Sequence, residues 1–84
     1  MKNPKNNTQE ILLTLISNGR VSIFDHSIMS GFRTRISEII REHNLPLEKV
    51  QKISHNKYGR AYHYIEHRLA KENVKQAIKL YESI

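Results

Sequence analysis

Cysteine is absent from this chain, glycine occurs three times and proline twice in 84 residues. Without cysteine there are no disulfides, no thiolate metal sites and no cysteine nucleophile. The scattered glycines form no phosphate-cradling loop. Neither a Ser/His/Asp set nor paired carboxylates stand out, so an enzyme is not expected, and no cofactor or metal is called for. No apolar run approaches the ~18 residues of a membrane span, so no membrane partner is expected. The opening MKNPKNNTQE also lacks the apolar segment of a secretory signal. These absences point to a soluble, cytoplasmic domain with no sensory pocket.

Acidic residues are the other shortage. Eight Asp+Glu face fourteen Lys+Arg, a formal net charge of +6. That balance favours a polyanionic partner, nucleic acid before a membrane surface. A chain this short makes one domain that buries roughly 60% of its unfolded surface. One modest core follows, which argues against a large internal cleft.

Residues 1–7 are polar, carry Pro4 and show no periodicity, and they read as a flexible arm. From Thr8 the pattern changes. Asn7, with Glu10 three residues later, marks a helix start, and Asn18-Gly19 marks its stop. Between them Ile11, Leu12, Leu13, Leu15 and Ile16 cover more than half the helix circumference, so the helix must be packed on two sides. Arg20-Val21 is too short for more than a stub of strand. Ser22 and Asp25 fit the S-x-x-D capping box and open a short helix to about Met29, which Ser30-Gly31 breaks. The next helix runs over 32–43, with Phe32, Ile36, Ile39 and Ile40 on one narrow face. Pro46 ends it. Residues 47–69 read as two strands around Asn56-Lys57-Tyr58-Gly59. A last helix, from about Lys71, places Val74, Ala77, Ile78, Tyr81 and Ile84 on one stripe.

The expected fold is therefore mainly α with a small β-hairpin, in the order α-α-α-β-β-α of a winged helix-turn-helix. Residues 8–69 form that domain, and 70–84 form a C-terminal helix on the domain or at a dimer interface. With its apolar face buried, helix 32–43 exposes Thr34, Ser37, Glu38 and Arg41, flanked by Arg33 and Arg35. A helix 10–12 Å across fits the major groove of double-stranded DNA. Arg donates to guanine, Ser and Thr adapt, and Glu accepts from cytosine. Arg33, Thr34, Arg35, Ser37 and Arg41 are the candidate DNA contacts. The plainer reading is a solvated face on which Glu38 pairs with Arg35.

The hairpin supplies the second half of the expected interface. Between Lys49 and Ile65 there is no acidic residue, while Lys49, Lys52, Lys57 and Arg60 are joined by His55 and His63. A projecting cationic wing (49–65) suits phosphate or minor-groove contact. Its candidates are Lys52, His55, Lys57, Tyr58 and Arg60. Lysine on an edge strand also simply prevents aggregation, and Tyr58 is as well suited to packing on its own strand.

Arg35-Ile36-Ser37-Glu38-Ile39, followed by Asn44-Leu45-Pro46-Leu47, resembles the R-I-x-E-L…G-Y-P-I signature of a phage-type winged helix-turn-helix DNA-binding domain family. Asn56-Lys57-Tyr58-Gly59-Arg60 and Tyr64…Arg68-Leu69 are similar to that family's n-k-x-G-k wing and Y-R-L return strand. The likeness extends over about Thr8 to Leu69. It departs at Asn44, where glycine is usual, with one extra residue before it. The resemblance implies DNA binding in a bacteriophage or mobile-element setting, inside a bacterial host cell. A transcriptional regulator is the expected role. An architectural or replication-accessory DNA binder, and a small phage inhibitor of an acidic host protein, remain open alternatives.

His63-Tyr64-Ile65-Glu66-His67 matches the H-x-x-E-H pattern of some zinc peptidases. On a strand, however, residues four apart lie roughly 13 Å from one another, too far for one zinc. On the last helix, Leu80 and Ile84 extend the apolar edge and suggest a homodimer seam, the alternative to a helix that only seals the core. A dimer would read half-sites about 10–10.5 bp apart or multiples of that.

Overall fold

A computed structural model describes residues 3–84; Met1 and Lys2, the start of the expected arm, lie outside the described residues. Among the described residues the order is α1 (Asn7–Asn18), β1 (Arg20–Val21), a 3₁₀ turn (Ile23–His26), α2 (Phe32–Arg41), β2 (Glu48–His55), β3 (Ala61–Arg68), a second 3₁₀ turn (Lys71–Asn73) and α3 (Val74–Ser83). The strands form one antiparallel sheet in the order β1-β3-β2.

The expected α-α-α-β-β-α order is thereby overturned in two places. The stub Arg20-Val21 is a true third strand, paired as Arg20↔Arg68 and Val21↔His67. Val21 is fully buried, so its backbone needs hydrogen-bond partners away from water, and β3 provides them. The second helix, expected to Met29, is a single 3₁₀ turn. Its capping box forms, with Ser22 N–H donating to Asp25 Oδ2 at 2.7 Å. The turn then has little to bury, because Ile23 and Phe24 are only partly covered and Ile28 is fully exposed. A helix start without an apolar stripe is not extended by packing.

The first helix begins one residue earlier than expected. Asn6, rather than Asn7, is the cap, and its Oδ1 accepts the Gln9 N–H at 2.8 Å. Lys5 N–H in turn donates to Gln9 Oε1 at 2.6 Å. The α1 stop is Gly19 as read, in the left-handed conformation at φ 78°, which turns the chain directly into β1. Ile11, Leu12 and Leu15 are fully buried, and α1 packs on α2, α3 and β1. This satisfies the demand for cover on more than one side.

Helix α2 ends at Arg41, two residues short of the expected 43. Leu45 N–H reaches back to the Ile39 carbonyl at 3.1 Å, and Asn44 adopts φ 56°. This is a left-handed helix stop of the kind usually given to glycine. Asn44 fills it because a short amide side chain tolerates that conformation better than other non-glycine residues. Leu45, the next residue, is then fully buried.

The long strands pair without a break from Glu48↔Arg68 to His55↔Ala61. Asn56 Oδ1 closes the turn by accepting from Tyr58 N–H (2.9 Å) and Arg60 N–H (3.0 Å), with Gly59 at φ 83°. Every residue from His55 to Ala61 is exposed. The turn stands clear of the core in a molecule measuring 43 × 25 × 21 Å.

Helix α3 closes the core from the other side, with Ala77 and Tyr81 buried. Gln9 Nε2 donates to the Tyr81 and Ile84 carbonyls at 3.0 and 3.2 Å, satisfying two acceptors that a helix end leaves open. Leu80 packs against the core cluster. Of the expected dimer seam, only Ile84, 37% exposed, faces outward.

Candidate nucleic-acid interface

Alternation along the hairpin sorts its side chains into two faces. In the observed register Lys49, Gln51, Ile53 and His55 share one face with Ala61, His63, Ile65 and His67. Lys49, Gln51, His63, Ile65 and His67 line a groove of about 710 Å³. Its other wall is α2, whose Arg33, Ser37 and Arg41 stand one turn apart over the more buried Phe32, Ile36 and Ile40. Ile23, Phe24, Tyr62 and Tyr64 complete the lining, and the Phe24 ring meets Tyr64 edge-on at 4.8 Å. Among the described residues, no Asp or Glu lines this groove.

The acidic groups near it are held elsewhere. Glu66 lies on the reverse face of β3, where Arg68 Nε donates to it at 2.7 Å and Arg20 stands at 3.6 Å. The Arg68 hydrogen bond holds the Glu66 carboxyl below its usual range; burial opposes this, and the charges of Arg68, Lys52 and Arg20 add to it. Glu38 is tied to Arg35 by a 2.8 Å ion pair along α2. The described lining itself carries cations and no carboxylate.

The expected contacts are thus sorted. Arg33, Ser37 and Arg41 are exposed and line the groove, whereas Thr34 is exposed outside its lining. Arg35 is engaged with Glu38 and half-buried. On the hairpin, Lys57, Tyr58 and Arg60 occupy the tip, with Lys57 Nζ 5.1 Å from the centre of the Tyr58 ring. His55 lies on the groove-facing side of the sheet, next to the tip. Lys52 lies outside the groove lining, although its cross-strand neighbour Tyr64 is part of it. The H-x-x-E-H residues are on β3 as expected, with His63 and His67 on one face and Glu66 on the other.

Gln51, Ile65 and His67 were not among the expected contacts. Strict alternation counted outward from the Asn56–Gly59 turn would have placed them on the same side as Lys49. His67 is the deepest of them, at 8% exposure, and its Nδ1 has no hydrogen-bond partner among the described residues. Burial, reinforced by the Lys49 ammonium, pushes its imidazole below the usual value of 6.5.

Among the described residues, no helix is long and apolar enough to cross a membrane, and no group of three or more His, Asp or Glu is placed to hold a metal ion. No family model, curated protein or solved structure matches this chain. The likeness to a phage-type DNA-binding domain rests on the residues quoted for it.

Proposed function

We propose that the protein binds double-stranded DNA with the face shared by α2 and the β2–β3 hairpin, as a transcriptional regulator of a phage or mobile element in the cytoplasm of its bacterial host. The observation that carries this reading is the cationic groove lining. Arg33, Arg41 and Lys49 border a groove with no acidic residue among those described, and Lys57 and Arg60 continue the charge to the tip. Helix α2, about 15 Å long at 1.5 Å per residue, presents Arg33, Ser37 and Arg41 to base edges or the adjoining phosphates. The hairpin tip meets the backbone or the minor groove beyond it. The quoted phage-type motif supports the biological setting.

The test begins with purified protein, sheared DNA from host and element, and physiological salt. Retained fragments are then sequenced. A few sharply enriched sites are expected, and half-sites about 10–10.5 bp apart would report a two-fold pair. Uniform retention would replace regulation with an architectural role. Arg41→Ala combined with Arg60→Ala should weaken duplex binding at fixed salt. Unchanged affinity in that variant refutes the reading.

A further inference from the structure

The groove carries one property that phosphate contact does not use. Ile65 is 48% exposed on its sheet wall, and Ile53, on the same face but just beyond the groove lining toward the tip, is 61% exposed. Opposite them α2 contributes the part-buried Ile40 beside Ile36 and Phe32. Phosphate oxygens gain nothing from such side chains. Exposed apolar surface rimmed by charge marks a place where another molecule buries apolar groups. The rim sets that molecule's sign, because Arg33, Arg41 and Lys49 surround the apolar strip with no carboxylate among the described lining residues.

We infer that this groove also receives an acidic, amphipathic segment of a protein partner. Its apolar residues cover Ile40, Ile53 and Ile65, and its carboxylates pair with Arg33, Arg41 and Lys49. A groove formed by one helix and one sheet wall suits an added helix, which reads as anchors at i, i+3, i+4 and i+7. Because Arg33, Ser37 and Arg41 also belong to the proposed DNA face, partner and duplex exclude each other. That exclusion, though not the groove itself, rests on the DNA reading. The partner then acts as a release signal by covering the cations a duplex needs.

The probe is a labelled peptide of roughly four helical turns, with leucine at the anchor positions and glutamate elsewhere. A lysine-for-glutamate version and a scrambled acidic version accompany it, and the full chain is titrated by anisotropy and amide shifts. The acidic amphipathic peptide is expected to bind at least tenfold tighter than either control, with shifts concentrated on α2, β2 and β3. Ile65→Lys should weaken it about tenfold. Ile53→Lys, at a more exposed position, repeats the measurement should Ile65→Lys misfold. Equal binding of all three peptides, no binding at roughly millimolar peptide, or parent-like binding by both lysine variants overturns the inference. Peptide binding without any duplex binding supports the groove and removes the DNA reading instead.

Discussion

Removing Arg33 and Arg41 together should change not only how tightly the protein holds DNA but how that affinity responds to salt. Five exposed cations border the proposed interface: Arg33 and Arg41 on α2, Lys49 on β2, and Lys57 and Arg60 at the tip. With one phosphate per cation, log affinity should fall against log salt with a slope of about −4.5. Raising salt from about 50 to about 200 mM then costs roughly 500-fold in affinity. The Arg33→Ala/Arg41→Ala variant retains three contacts, so its slope should be about −2.7 and its loss over the same range roughly 40-fold. Both side chains are exposed, so the fold should survive, which circular dichroism checks. Fluorescence anisotropy on one labelled duplex across a salt series measures the slopes. Lys75→Ala/Lys79→Ala on α3 serves as the matched control, since both lysines are exposed and lie outside the groove lining. An unchanged slope in the arginine variant, or an equal change in the control, refutes the assignment of this face.

Three further outcomes follow from the packing. Leu15→Ala empties a fully buried site in α1 and should cost about 2–5 kcal/mol, seen as a lower urea midpoint with an unchanged m-value; a loss under about 1 kcal/mol would contradict the core described. Asn44→Gly relieves a side chain held at φ 56° and should raise stability by about 0.5–1 kcal/mol in thermal unfolding; a destabilised variant would mean that the amide contributes more than it costs. Because burial and Lys49 lower the folded-state value of His67, the unfolded chain binds that proton first as pH falls. The stability His67 contributes is complete above 6.5 and is lost as pH falls from there through the folded value. His67→Gln should therefore show a shallower acid-side decline than the parent, and superimposable profiles would reject that role for His67.

Much of the element plan is legible in local chemistry. Asn18-Gly19 predicts the α1 stop, the i, i+4, i+7, i+8 spacing of Phe32, Ile36, Ile39 and Ile40 predicts α2, and Asn56–Gly59 predicts the hairpin turn. Each rests on interactions within a few residues. The errors arise where the outcome depends on distant partners. Ser22 and Asp25 make their capping box, yet the helix it announces stops after one turn because Ile28 is fully exposed and Phe24 only partly covered. Arg20-Val21 is too short to read as a strand, but burial of Val21 beside β3 makes it one.

The candidate site divides along the same line. The sequence by itself determined the excess of cations, the lack of acid from Lys49 to Ile65, and the α2 surface carrying Arg33, Ser37 and Arg41, since composition and helical period need no partner. Only the tertiary structure decided that Lys49, Ile65 and His67 face those arginines across a groove while Lys52 lies outside it, and that Arg35 is tied to Glu38. The physical reason is register. Side chains on a strand alternate faces with every residue, so the turn and the pairing of β1, β2 and β3 determine which charges converge and which apolar groups are left uncovered.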